Sequence, residues 1–204
     1  LTNPHRVQLG DAGGVTQHAD IAHTPCLVAE ELQIKALVNF LLLDEPSSAL
    51  IFCKRRHDAE EIAAALQDAG LAAEYLHGDL VQCVRSRIMG NFKEGRLRYL
   101  VATDLAARGI DIEHMPLVVH VGIPMQFENY IHRSGRTGRA GSKGASLALV
   151  GYRESRILLA WANRGGLKLR WRPIPTPEEI REARARRLAT RVRTPGAPDR
   201  FIDL

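Results

Sequence analysis

Short apolar runs alternate with longer segments of helical periodicity along most of this chain. Ala49–Cys53 is continuously apolar, as expected for a strand buried on both faces of a parallel sheet. The next segment, 58–69, has apolar residues at helical spacing and is followed by Gly70, a residue type that commonly closes helices. The same alternation recurs to about residue 161 and predicts an α/β fold, a doubly wound, mostly parallel sheet of six or seven strands flanked by helices. The predicted strands are 21–28, 49–53, 72–76, 99–102, 117–121 and 145–150, and the predicted helices are 30–43, 58–69, 81–92, 127–133, 154–161 and 177–192.

The length of 204 residues suits one core with an appendage. Residues 1–19 are polar and interrupted by glycines, which predicts a linker into a domain spanning 20–163. Residues 164–204 are rich in proline and arginine and form a predicted basic extension with a helix capped by Thr176. The amino terminus resembles no secretory signal and reads as a cut through a longer chain, and no apolar run is long enough to predict a membrane span.

The three cysteines, Cys26, Cys53 and Cys83, are far apart and lack the spacing of a metal-binding pair. They are predicted to be reduced, structural residues of a cytoplasmic protein, and the eight scattered histidines add no metal-site spacing. No metal ligands are therefore assigned.

The charge is unevenly distributed. The net charge is +5, yet residues 1–163 hold 17 Lys and Arg against 18 Asp and Glu, whereas residues 164–204 hold 11 against 5. A basic tail suits binding to phosphate backbones, because each neutralised phosphate releases condensed counterions. A solvated helix with one charged face is the alternative interpretation.

Cationic side chains separated by glycines lie at the end of the predicted helix 127–133. Residues 132–139 have the sequence HRSGRTGR. Glycines allow tight turns and close approach of a ligand, and Arg136 and Arg139 are near enough to reach one anionic target. Because planar guanidinium groups match phosphate oxygens two bonds at a time, this segment predicts a phosphate site. A solvated basic loop is the alternative.

Two further segments place polar residues after predicted strands, where ligands bind in open parallel sheets. Residues 101–111, VATDLAARGID, bring hydroxyl and carboxylate groups to a strand end, although Asp104 could instead cap a short helix. Residues 77–85, HGDLVQCVR, combine Gly78 with a Gln and an Arg three residues apart at a predicted helix start, where free N–H groups attract phosphate. Here Asp79 could be an ordinary N-cap.

The order and spacing of these segments resemble the second, carboxy-terminal RecA-like domain of the DEAD-box RNA helicases of superfamily 2. Residues 132–139 look like motif VI, 101–111 like motif V, 82–85 like the QxxR element and the strand around Ile51 like motif IV. The resemblance covers roughly residues 20–163. It implies an ATP-dependent RNA helicase of RecA-like fold in which this chain supplies one half of the nucleotide site.

For the nucleotide, the resemblance implies that Arg136 and Arg139 contact the γ-phosphate of ATP, with Arg139 as the arginine finger that stabilises the transferring phosphoryl group. Asp111 would hold the ribose. His132 and Arg133 would contact the nucleotide and link this domain to its partner domain.

For RNA, the resemblance implies that Gly78, Gln82, Arg85 and Thr103 contact the sugar–phosphate backbone, single-stranded or within a duplex. Arg108, with the histidine of motif VI, would help to close the two domains. Backbone contacts carry no sequence information, so binding is expected to be indifferent to sequence.

The sequence holds neither a GxxxxGK[ST] phosphate loop nor an Asp-Glu-Ala-Asp run. In the family these belong to the amino-terminal RecA-like domain, which is expected to precede this chain as its partner and to hold most of the ATP and Mg²⁺. The chain by itself is therefore expected to be inactive. The alternative is a non-catalytic RNA- or protein-binding module, which the basic tail favours. A dinucleotide-dependent oxidoreductase is disfavoured by the absence of a GxGxxG turn.

Overall fold

Six parallel strands form a single sheet in the computed structural model, which describes residues 21–107, 112, 114–138 and 143–193, with side chains as far as residue 190. The strands lie in the order β1-β6-β5-β2-β4-β3, and all five pairings are parallel. The predicted linker 1–19 lies outside the described residues. The strands are β1 (Ile21–Leu27), β2 (Ala49–Cys53), β3 (Ala73–Leu76), β4 (Tyr99–Thr103), β5 (Leu117–Val121) and β6 (Gly144–Val150).

Helices connect the strands and cover both faces of the sheet, which confirms the predicted doubly wound α/β architecture. The helix predicted at 30–43 begins with a 3-10 turn, Glu30–Leu32, before the α-helix proper. The α-helices are α1 (Gln33–Asp44), α2 (Arg56–Asp68), α3 (Gln82–Lys93), α4 (Asp104–Ala107), α5 (Phe127–Ser134), α6 (Tyr152–Gly165) and α7 (Pro177–Arg193).

Alternate residues of the central strands point into two different cores. On β2, Ile51 belongs to the core that α1 and α2 cover, whereas Leu50 and Phe52 belong to the core beneath α3 and α4. A third cluster, beneath α5 and α6, contains Tyr130 and the buried Trp161. Every residue of β2 and β4 is buried, as the continuous apolar runs predicted.

The described residues after 163 pack on the sheet domain, and the predicted boundary at that residue falls inside α6. The segment that follows runs beside β1, where the N–H groups of Arg170 and Arg172 donate to the carbonyl oxygens of His23 and Pro25, each at 2.9 Å. This segment covers the outer side of the edge strand. Edge coverage of this kind blocks pairing with other chains.

Helix α7 then packs against α1. Thr176 is its N-cap as predicted, because its hydroxyl accepts from the N–H of Glu179 at 3.2 Å and the Glu179 carboxylate accepts from the N–H of Thr176 at 2.8 Å. From the same helix, the Arg187 guanidinium donates to the carbonyl oxygens of Leu42 and Leu43 in the last turn of α1. The charge of Arg187 thus serves packing within the domain.

Candidate functional site

The carboxyl ends of parallel strands meet at one edge of a sheet, and the predicted site segments gather there. Helix α4 follows β4 directly. A short loop separates α3 from the end of β3, and α5 follows β5. The carboxyl edge is where ligands bind in open α/β sheets. The loop that leaves α5 runs back toward the amino ends of the strands, where Thr137 forms a bridge with Met115 ahead of β5.

Four polar side chains of α5 and the turn after it follow one helical face, at positions 129, 132, 133 and 136. With parts of β2 and α4 they line a concave cavity of about 330 Å³. His132 is exposed and Arg136 is partly exposed, so both are open to a ligand. The lining consists of Phe52, Asp104, Ala107, Asn129, His132, Arg133 and Arg136.

Arg133 differs from its neighbours because its side chain is only 4% exposed. Its Nε and Nη2 donate to the two carboxylate oxygens of Asp104, at 2.6 and 2.7 Å. The guanidinium carbon lies 5.1 Å from the centroid of the Phe52 ring. Two of its three nitrogens are therefore committed to an ion pair inside the domain, and Nη1 is buried without a hydrogen-bond partner among the residues that the structure describes. The carboxylate of Asp104, considered above as a possible helix cap, is the acceptor of this pair.

The loop after α5 is fixed to the strand framework on two sides. The N–H of Met115 donates to the carbonyl oxygen of Arg136 at 3.0 Å, and the Thr137 hydroxyl donates to the carbonyl oxygen of Met115. On the other side lies Gly144, the first residue of β6. A Cβ at that position would lie 2.7 Å from Cα of Gly138 and closer still to its backbone nitrogen. The close approach of loop and strand requires a glycine there.

A buried polar cluster lies beneath the end of α5. The Ser134 hydroxyl is 3.0 Å from the Ser146 hydroxyl and 3.3 Å from Nε2 of His120, and that nitrogen is 3.1 Å from the hydroxyl of Ser146. Burial, with the nearby positive charge of Arg133, holds the pKa of His120 well below its usual value. The imidazole is thus neutral, and the cluster anchors the helix end from which Arg136 emerges.

Four residues predicted to contact RNA lie on the opposite side of α4. Arg85 is half-buried and donates from Nη2 to the carbonyl oxygen of Ala106 in α4. Gln82 is exposed one helical turn earlier on α3, and Gly78 is exposed in the preceding loop. Thr103 closes β4 and is only 7% exposed, so its side chain offers little surface. The structure brings this group together around one short helix.

Asp79 is not the N-cap of α3, because the cap position is Val81. The Asp79 carboxylate pairs instead with Arg56 at the start of α2, and its N–H donates to Nδ1 of the buried His77 at 3.2 Å. These contacts hold the loop that carries Gly78.

Three residues of the predicted site, Arg108, Asp111 and Arg139, lie outside the described residues. Their assignments as domain-closing, ribose-binding and arginine-finger residues rest on the sequence resemblance. By sequence, Arg108 directly follows Ala107 of α4, Asp111 comes three residues after Arg108, and Arg139 follows Gly138.

Sequence reasoning missed several residues at this edge. Asn129 lines the cavity and could have been found from its helical spacing to His132 and Arg136. Glu154 was assigned only to a helix, yet its carboxylate lies 2.5 Å from Nζ of Lys54 and accepts from the N–H of Ile123 at 3.3 Å, which ties three strand ends together. No local sequence signal marks these long-range contacts.

Cys26 and Cys53 are buried in the core, whereas Cys83 is exposed on α3. Burial raises the pKa of the Cys53 thiol to about 12. Within the described part of the chain, no three His, Cys, Asp or Glu side chains cluster as a metal site would require. None of the helices described has the length and apolar character needed to cross a membrane.

Comparison with known proteins assigns this architecture to a protein family. Residues 32–141 match the family model of the helicase conserved C-terminal domain. The ATP-dependent RNA helicase DbpA of Bacillus subtilis is 37% identical over 180 residues, which are 88% of this chain and 37% of that protein. The chain spans about a third of the length of the curated relatives it matches.

Solved structures of DEAD-box proteins superpose on this fold. A DEAD box protein from the hyperthermophile Methanococcus jannaschii superposes with a TM-score of 0.70 at 36% identity, over 76% of this chain and 42% of that one. Dbp5 of S. cerevisiae, bound to RNA and ADP BeF3, superposes with a TM-score of 0.74 at 28% identity, over 86% of this chain and 48% of that one.

Proposed function

This chain belongs to the helicase conserved C-terminal domain family as the C-terminal domain of a DEAD-box helicase, and we propose that it supplies half of the ATP site and half of the RNA surface of an ATP-dependent RNA helicase. One observation carries the proposal. The arginine- and histidine-bearing face of α5 lines a cavity at the carboxyl edge of the sheet, and Arg85 donates to the carbonyl oxygen of Ala106 in α4, the helix whose Asp104 and Ala107 line the same cavity.

Arg136 is the described residue best placed to bind a phosphate. It is partly exposed, it lines the cavity, and its backbone is fixed through Met115. A guanidinium held in place before the reaction stabilises charge that develops on a transferring phosphoryl group without the cost of reorganisation. His132, exposed one turn earlier, is placed to reach the nucleotide or the preceding domain. Arg139, three residues further along, is proposed as the arginine finger and Asp111 as the ribose ligand.

The RNA half consists of Gly78, Gln82, Arg85 and Thr103 around α4. An exposed helix start with a neighbouring arginine suits phosphate oxygens of a nucleic-acid backbone. Of the four, Gln82 and Gly78 have the most exposed positions, while Thr103 would act chiefly through its backbone. Such contacts predict binding that is indifferent to RNA sequence.

The remaining parts of the ATP site would come from an amino-terminal RecA-like domain, including the phosphate loop and the carboxylates that hold Mg²⁺. ATP and RNA would each bind across the cleft between the two domains, so each favours the closed state and raises affinity for the other. Closure on a bent strand would open a short duplex locally. Arg108 and His132 are proposed to take part in closure.

A binding module without catalysis remains the second candidate, because α7 carries exposed arginines such as Arg181 and Arg186. Both, however, pair with glutamates of the same helix at 2.5 and 3.5 Å. Arg172 and Arg187 are engaged in packing against α1. The basic extension therefore supports this alternative less than its sequence suggests.

The proposal is tested by the affinity of the full-length protein for single-stranded oligouridylate and for one unrelated RNA sequence. Each is measured with and without the β,γ-imido analogue of ATP. We expect RNA to bind roughly tenfold or more tightly with the analogue, and to a similar extent for both sequences. RNA affinity that does not respond to the nucleotide would exclude the proposed clamp.

A further inference from the structure

The described part of helix α4 is one turn, Asp104–Ala107, and side chains from two neighbouring helices bind it. Arg133 of α5 grips its first residue through a bidentate ion pair, and Arg85 of α3 donates to the carbonyl oxygen of its third residue, Ala106. The helix is held between two arginines that come from opposite sides of the site.

The two arginines belong to different halves of the proposed function. Arg85 is one of the residues proposed to contact RNA. Arg133 lies between His132 and the turn that bears Arg136, the residues proposed to contact the nucleotide. A shift of α4 caused by RNA at Arg85 would therefore reach α5 through the carboxylate of Asp104. Bidentate geometry makes this link directional, because two parallel hydrogen bonds fix orientation as well as distance.

The burial of Arg133 argues that it acts through this link and not as a nucleotide ligand. Its side chain is 4% exposed, its Nε and Nη2 are both bonded to Asp104, and its guanidinium packs over Phe52 of β2. A buried guanidinium depends on its counter-charge, since an uncompensated buried charge strongly destabilises its surroundings. Asp104 is the carboxylate that supplies this counter-charge in the described structure.

We propose, resting on the function proposed above, that Asp104 and Arg133 form a positioning pair that couples RNA binding to nucleotide binding through α4. The pair fixes α4 relative to α5, so that the nucleotide-bearing and RNA-bearing sides move as one unit. Without the pair, each ligand still binds its own residues, but the mutual gain in affinity is lost.

The test is Asp104→Asn in the full-length protein. The Asp104 side chain is 40% exposed, and asparagine preserves its shape and one oxygen acceptor while removing the charge. The RNA probe is single-stranded oligouridylate, with and without the β,γ-imido analogue of ATP at saturation. We expect RNA affinity without nucleotide to stay within about twofold of wild type, and the gain on adding the analogue to fall at least about fivefold.

A matched control exists on the other side of the domain. Asp44 accepts a bidentate pair from Arg172 at 2.8 and 3.1 Å, and that guanidinium lies 5.0 Å from the ring centroid of Phe40. Asp44→Asn removes the same kind of charge far from the carboxyl edge. We expect its nucleotide-dependent gain in RNA affinity to equal that of wild type.

The outcomes separate cleanly. If Asp104→Asn keeps the full nucleotide-dependent gain in RNA affinity, the positioning pair is overturned. It is also overturned if the only defect of Asp104→Asn is weaker binding of the analogue by itself, because Arg133 would then belong to the nucleotide site. Asp104→Glu retains the charge and is expected to keep more of the gain than Asp104→Asn; equal loss in both variants would also count against the proposal. If wild type itself shows no gain, the proposed function fails, whatever the variants do.

Discussion

The buried His23 should make the stability of this domain depend on pH in a range where carboxylates hardly titrate. His23 lies on β1, is 6% exposed, and its Nδ1 is 3.0 Å from the hydroxyl of Tyr130. Burial lowers its pKa from 6.5 to about 4. The unfolded chain therefore binds a proton below pH 6.5, whereas the folded protein resists protonation down to about pH 4.

The sign and the size follow from this difference. The contribution of His23 to stability is complete above pH 6.5 and is lost as the pH falls toward 4. Proton linkage gives a loss of about 2 kcal/mol in the free energy of unfolding between pH 7 and pH 5. His120, whose pKa is also lowered by burial, adds a loss in the same direction.

The assay is urea unfolding of the chain at pH 7, 6 and 5, for wild type and His23→Asn. The variant is expected to be less stable at pH 7, yet to lose about 2 kcal/mol less than wild type between pH 7 and pH 5. Because each protein is compared with itself at two pH values, the intrinsic cost of the substitution cancels. Equal losses in the two proteins would refute the assignment of a neutral, buried His23.

Two further substitutions test the packing that positions the site. Gly144→Ala should lower the free energy of unfolding by about 1–3 kcal/mol, because the added Cβ would collide with the backbone of Gly138. Gly90→Ala is the control and should not destabilise the domain, because its Cβ meets no atom within 4 Å. Thermal unfolding compares the two variants. Arg187→Met should cost about 1 kcal/mol in urea unfolding by removing the donors to the last carbonyl oxygens of α1, and Arg184→Met on the exposed face of α7 should cost less than about 0.5 kcal/mol. Equal stability within either pair would contradict the packing argument.

The sheet could be predicted from local sequence because its signal is local. A run such as Ala49–Cys53 is apolar at every position, which only a strand buried on both faces requires. Capping residues gave the start of α7 at Thr176. The end of α6 was placed too early, at Trp161 instead of Gly165, because its last turn carries few apolar residues.

The site could be predicted only in part, because its chemistry is local but its geometry is not. Glycine and arginine spacing identified the segment 132–139. The same spacing could not show that Arg133 turns inward, since its acceptor Asp104 lies 29 residues earlier in the sequence. Nor could the surplus of arginine after residue 163 show that Arg187 binds carbonyl oxygens of α1, about 145 residues away. Contacts between distant residues depend on the strand order, which no local pattern encodes.

Arg136 is proposed to contact a nucleotide shared with another domain, and RNA-stimulated ATP hydrolysis by the full-length protein measures its contribution. Arg136→Ala is predicted to lower the rate roughly 100-fold, as removal of one positioned donor does in other enzymes. Arg156→Ala, an exposed arginine on α6, serves as the control and should leave the rate within about twofold of wild type. An Arg136→Ala protein that hydrolyses ATP at the wild-type rate would contradict the claim.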